Sequence, residues 1–141
     1  MATVRLLIVE DHDFFRQTIR LLLEADERIT VVGATASGPE AIALAESLRP
    51  DVVLLDLNLA SGSGLAVTQK ISPRSGGPAI LVLTGADDVQ SARGAFAAGV
   101  RGYLRKDQIS DDLLTSAIFA VANGGVFVDA QTFALLLSLC P

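Results

Sequence analysis

Asp51-Val52-Val53-Leu54-Leu55-Asp56 sets four consecutive apolar residues between two carboxylates, with no polar residue alternating among them. A strand with one wet face alternates, whereas this run is apolar on both faces, as a central strand of a parallel sheet must be. Four similar short runs lie outward from it: Val4 to Val9, Ile29 to Ala34, Ala79 to Leu83 and Gly102 to Leu104. Helical patterns fill the gaps. Phe15, Ile19, Leu22 and Leu23 share one face, with Asp13 placed to cap the first turn. Ser37-Gly38-Pro39-Glu40 reads as a capping box ahead of Ala41, Leu44, Ala45 and Leu48, and Pro50 ends that helix. A third helix is expected from Gly64 to Ile71, stopped by Ser72-Pro73. A fourth carries Val89, Ala92 and Phe96 and stops at Gly99, with Asp87 and Asp88 at its start. A fifth begins at Ser110, buries Leu114, Ala117, Ile118 and Val121, and ends at Gly124-Gly125. This alternation predicts a doubly wound α/β fold with helices on both faces of the sheet, because the crossovers between parallel strands are right-handed.

The 141 residues suit one compact domain, and 50% hydrophobic against 19% charged residues is the reverse of a disordered composition. A net charge of -5 repels a phosphate backbone, so the chain as written is a poor nucleic-acid binder. The single cysteine, Cys140, excludes an intrachain disulfide and a cysteine-rich zinc site, which fits a reduced, cytoplasmic setting. No signal-peptide pattern opens the chain. The longest uncharged stretch, Leu113 to Val128, is interrupted by Asn123-Gly124-Gly125 and falls short of the roughly 18 to 20 apolar residues of a membrane span. Beyond Gly125, Phe133, Leu136, Leu137 and Cys140 lie at helical spacing and form an apolar face that needs a partner: the domain itself, a second copy, or a following domain. The abrupt finish at Leu139-Cys140-Pro141 reads as a cut in a longer chain.

Ligands of open parallel sheets gather beyond the carboxyl ends of the strands. There the sequence places Glu10-Asp11, Asp56, Thr84 and Lys106. Three converging carboxylates raise one another's pKa unless a cation neutralises them, and an all-oxygen donor set selects a hard ion, Mg²⁺ before Ca²⁺. A lysine and a threonine hydroxyl facing those acids can hold a second anionic group such as a phosphoryl. Residue chemistry leaves open whether Asp56 only binds metal or also attacks phosphorus.

Glu10-Asp11, Leu55-Asp56-Leu57-Asn58, Gly64, Thr84-Gly85-Ala86 and Gly102-Tyr103-Leu104-Arg105-Lys106, in that order, resemble the receiver domain of two-component response regulators. The likeness runs from Val4 to about Val121. The string from Gly102 to Asp107 and the tail Gly124-Gly125-Val126-Phe127-Val128-Asp129 are most similar to the LuxR/NarL (FixJ) branch, whose members usually continue into a helix-turn-helix DNA-binding domain. The resemblance implies a five-stranded parallel sheet of order 2-1-3-4-5, flavodoxin-like and CheY-like. It implies a receiver domain over residues 1–123 and a linker or helix over residues 124–141 that leads to a DNA-binding domain not present here. It makes Asp56 the phosphoacceptor, Asp11 and Asp56 direct Mg²⁺ ligands, Glu10 a ligand through water, and Asn58 a ligand through its backbone carbonyl. Lys106 would pair with the phosphoryl group, Thr84 would reorient toward it, Tyr103 would swing inward, and Asn58 and Ala86 would tune its lifetime. The implied partners are a sensor histidine kinase or phosphotransfer protein, a second copy of the chain, and DNA only through the further domain. No enzyme activity is implied beyond the domain's own aspartyl phosphorylation and dephosphorylation. Two positions depart from the family's habit: Ala60 stands where proline is common, and Asp107 follows Lys106 where many receivers have proline.

Taken singly, each residue has a plainer reading. Glu10 or Asp11 would be a capping or solvated acid, Thr84 a strand end, Lys106 a surface charge, and Tyr103 a rim residue with a wet hydroxyl. His12 reads as an exposed loop residue. Two rival functions follow from the same residues: a docking module indifferent to phosphate, and a small Mg²⁺-dependent phosphatase. Asp56-Leu57-Asn58 is similar to the aspartyl nucleophile of haloacid-dehalogenase-type phosphatases, but their second aspartate is Asn58 here, which weakens that reading.

Overall fold

The computed structural model describes residues 3–59, 62–71, 76–85 and 89–138; Ala60, Ala86, Asp87, Asp88 and Cys140 fall outside them. The strands are β1 (Val4–Val9), β2 (Ile29–Thr35), β3 (Val52–Asp56), β4 (Asn58–Leu59), β5 (Gly62–Ser63), β6 (Ala79–Thr84), β7 (Gly102–Arg105) and β8 (Phe127–Val128). The helices are α1 (Asp13–Glu24), α2 (Gly38–Leu48), α3 (Gly64–Ile71), α4 (Val89–Ala97), α5 (Asp111–Ala122) and α6 (Ala130–Ser138), with a 3-10 turn at Lys106–Gln108.

The main sheet runs β2-β1-β3-β6-β7-β8 and is parallel throughout. Its first five members in that order reproduce the expected topology. β8 extends the sheet beyond the expected five strands, pairing Phe127 with Gly102 and Val128 with Tyr103. The sequence shows Val126-Phe127-Val128 as an apolar run too short to display a period. A second unforeseen element is the antiparallel pair β4–β5, which joins Asn58 to Ser63 and Leu59 to Gly62 just beyond Asp56.

Alternation along each strand builds two cores. Leu6, Ile8, Val52, Leu54, Leu81, Leu83 and Leu104 face Ile19 and Leu23 of α1 and Leu114, Ala117, Ile118 and Val121 of α5. Leu7, Val9, Val53, Leu55, Ile80, Val82 and Tyr103 face Ala41 and Ala45 of α2, Val67 of α3, and Ala92 and Ala95 of α4. β3 is buried along its whole length, as its unbroken apolar run requires. Each fully buried Leu or Ile here contributes about 1.5–3 kcal/mol relative to exposure, so the sheet's centre is a rigid platform for its carboxyl edge.

Caps set the helix ends. Ser37 and Ser110 accept the N–H of Glu40 and Leu113 at 3.3 and 3.2 Å. α1 is capped by His12 rather than Asp13: the His12 Nδ1 accepts the Phe15 N–H at 3.3 Å, and Asp13 is the first helical residue. His12 is exposed as expected, but its ring has this structural use. α2 ends on Arg49 at φ 48°, which takes the residue before Pro50 out of the right-handed region that proline disfavours.

The tail packs back on the domain. α6 lies against α4, with Leu136 seated on the core that contains Tyr103. Asp129 caps it, accepting the Thr132 N–H at 2.8 Å and the Thr132 hydroxyl at 2.7 Å, while Arg105 of β7 donates to Gln131 at 2.8 Å. Burial pushes the Asp129 carboxyl upward, but the Thr132 bonds and the Arg105 charge outweigh it and hold the pKa below its ordinary value. These bonds therefore contribute fully above the ordinary aspartate value of about 3.9 and fade as pH falls through the lowered one. Hydrogen-exchange protection of the α6 amides is expected to collapse in that acid range before the sheet opens; simultaneous loss of both would contradict this assignment.

Candidate functional site

Parallel strands deliver their carboxyl ends to one edge, and the register fixes which residues are level. Val9 pairs with Leu55 and Asp56 with Leu83, so Glu10 emerges beside Asp56, while Thr84 lies one residue beyond, opposite Arg105. Carboxylate oxygens of Glu10, Asp11 and Asp56 lie within 4.8 Å of one another. Lys106, at the start of the 3-10 turn, reaches Glu10 Oε1 at 2.6 Å and Asp56 Oδ2 at 3.2 Å. Glu10 and Asp56 are 2% and 4% exposed, so this ion cluster is screened far less than a surface pair would be.

The backbone completes the cradle. The Asn58 N–H donates to Asp56 Oδ1 at 3.0 Å, the His12 N–H to Glu10 Oε2 at 3.1 Å, and the Arg16 guanidinium to the Glu10 carbonyl at 2.8 Å, fastening α1's first turn to the end of β1. Gly64 opens α3 against the end of β3, at Asp56 and Leu57. Its N–H donates to the Leu57 carbonyl at 2.8 Å, and a Cβ there would stand 2.5 Å from both the Asp56 carbonyl oxygen and Leu57 Cα. Only glycine permits that approach.

Burial raises the Glu10 pKa; the Lys106 ammonium opposes this, while the neighbouring Asp56 carboxylate adds to it. Lys106 is raised: burial acts against its charge, but its bonds and attractions to Glu10 and Asp56 prevail. One ammonium among three acids leaves the edge with an excess of negative charge. The donors are all oxygen, which fits a hard divalent cation.

The structure thus brings Glu10, Asp11, Asp56 and Lys106 together. Thr84 is fully buried at the same edge. Asn58 contributes its backbone, with its side chain exposed. Tyr103, expected to swing inward, is already buried, its ring centroid 6.3 Å from that of Phe96. Ala86 lies outside the described residues. Two roles have no signal in the sequence: Arg16 tethers Glu10, and the Phe15 ring centroid lies 4.8 Å from the Lys106 ammonium, although periodicity assigns Phe15 to packing. A surface cleft of about 690 Å³ between Arg49, Asp51, Pro78, Arg101 and Gly124 lies at the opposite edge of the sheet and contains none of these groups. Among the described residues no helix is long and apolar enough to cross a membrane.

Comparison with known proteins agrees with this architecture. The family described as the response regulator receiver domain matches residues 6–118. The chain is 36% identical over 134 residues to the nitrate/nitrite response regulator protein NarL of Escherichia coli K12, covering 95% of this chain and 62% of that protein. It is 30% identical over 125 residues to the transcriptional regulatory protein DegU of Brevibacillus brevis, covering 89% and 52%. The chain therefore spans less than two thirds of the length of either relative. A two-component response regulator of the LuxR family from Aurantimonas sp. SI85-9A1 superposes with a TM-score of 0.88 at 30% identity, covering 97% of both chains. Receiver domains accept phosphoryl groups as signalling modules and bind Mg²⁺ in an acidic pocket, and members of this branch typically act through a DNA-binding domain. With this fold, this acidic edge and this sequence match, the chain belongs to the response regulator receiver family, in its NarL/LuxR branch.

Proposed function

We propose that Asp56 is the phosphoacceptor of a switch loaded by a sensor histidine kinase or phosphotransfer protein. The observation that carries this reading is a buried Asp56 carboxylate with Lys106 at 3.2 Å and two further acids within 4.8 Å. An Asp56 oxygen attacks the phosphorus of a phosphohistidine in line. The new O–P bond forms as the P–N bond breaks, and the electron pair leaves with the imidazole. The Asn58 N–H holds the carboxylate in place, and Lys106 neutralises charge on the transferring group. Asp11 and Asp56 would hold Mg²⁺ directly, Glu10 through water and Asn58 through its carbonyl. When bound, the ion supplies positive charge to the phosphoryl oxygens. Thr84 then hydrogen-bonds the phosphoryl group and Tyr103 stays inward beside it, while Asn58 and Ala86 govern water's access and so the lifetime of the acyl phosphate. Hydrolysis of that bond is the domain's own second reaction.

The readout lies in the tail and in self-association. Residues 1–123 serve as the receiver and residues 124–141 as the linker toward a DNA-binding domain; that DegU is a transcriptional regulatory protein supports this output. Phe14 and Leu21 on α1, with Phe133 and Leu137 on α6, are exposed apolar residues on which a second copy can dock. A cytoplasmic site of action accompanies this reading.

Incubation with acetyl phosphate and Mg²⁺ distinguishes a switch from a phosphatase. The expected result is one phosphoryl group per chain, removed by hydroxylamine. Sustained turnover of p-nitrophenyl phosphate would favour the enzyme, and absence of any adduct would favour the phosphate-indifferent docking module.

A further inference from the structure

Lys106 meets more than its two carboxylates: its ammonium lies 4.8 Å from the centroid of the Phe15 ring. The ammonium has three N–H donors; Glu10 and Asp56 accept on one side, at 2.6 and 3.2 Å, and the ring's negative face covers another. Phe15 is well placed to hold that position. It is half-buried on the α1 core, its N–H is capped by His12 at 3.3 Å, and the neighbouring Arg16 ties the same turn to the Glu10 carbonyl at 2.8 Å. A leucine would fill the same apolar contact with α1's core but would offer the cation no π face. We infer that Phe15 is a positioning residue for Lys106, keeping a flexible, 23% exposed lysine side chain aimed at Asp56 rather than at solvent.

The inference rests on the proposed phosphoryl chemistry, and its test has one arm that does not. In proton NMR of the phosphate-free chain, the Lys106 side-chain methylenes near the ring are expected at ring-current-shifted positions that Phe15→Leu abolishes and Phe15→Tyr keeps. In phosphorylation by acetyl phosphate with Mg²⁺, Phe15→Leu is expected to slow uptake about fivefold, as loss of a partly desolvated cation–π contact implies, while the thermal midpoint stays near that of the parent and Phe15→Tyr recovers most of the rate. Equal rates for Phe15→Leu and the parent, equal losses for Leu and Tyr, or unshifted Lys106 resonances would each overturn the role of the ring. A parent chain that takes up no phosphoryl group while the NMR contact is present would instead overturn the phosphoacceptor reading.

Discussion

Asp56→Asn is expected to take up no phosphoryl group from acetyl phosphate and Mg²⁺ where the parent chain is loaded, and to fold more stably than the parent at neutral pH. The first effect is a loss of at least about 1000-fold, because a neutral amide is a poor nucleophile and no other described acid pairs with both Lys106 and the Asn58 N–H. The second follows from charge. Three acids share one ammonium at a buried edge, and burial together with Asp56 raises the Glu10 pKa. A raised carboxyl pKa penalises the folded state above the raised value, and the penalty disappears as pH falls below the ordinary carboxylate range. Removing the Asp56 charge relieves part of it, so a gain in stability is expected at pH 7, shrinking toward pH 4. Thermal unfolding of both chains across that range checks the sign; destabilisation at pH 7 would mean that the Lys106–Asp56 pair outweighs the repulsion.

Gly64→Ala is expected to cost about 3 kcal/mol and to weaken Mg²⁺ binding at the same time. The added methyl would meet backbone, 2.5 Å from the Asp56 carbonyl oxygen and from Leu57 Cα, and backbone held by the β3–β6 ladder cannot yield as a side chain can. Relief requires the end of β3 that carries Asp56 to shift, which spoils its alignment with Glu10 and Asp11. Denaturant unfolding and a Mg²⁺ titration of the same variant test both consequences. A loss below about 0.5 kcal/mol, the range of an unremarkable surface change, would show that the close approach is not structural.

How much of this was legible in the sequence depends on which force placed each residue. Unbroken apolar runs and helical periodicity report burial, and burial fixed β1, β2, β3, β6, β7 and the five helices that follow the expected pattern. The topology then brought Glu10, Asp11, Asp56 and Lys106 to one edge, which is a property of parallel strands rather than of any single residue. The remainder has no periodic signature. β4, β5 and β8 are two residues long each, and the His12 cap depends on loop geometry. Whether the apolar tail helix faced its own domain or a partner was equally open, since Leu136 and Gln131 find their contacts only after β7 and α4 are in place. Periodicity places Phe15 on a core face, where aromatic rings usually pack, and only the three-dimensional position of Lys106 gives its ring a second use.

The most direct measurement is the position of the acyl phosphate. After loading with acetyl phosphate and Mg²⁺, borohydride reduction converts a phosphorylated aspartate to an alcohol that tandem mass spectrometry can locate. That mark is expected at position 56 and nowhere else. A mark at Asp11 or at any other carboxylate, or a loaded chain with position 56 unmodified, would contradict it.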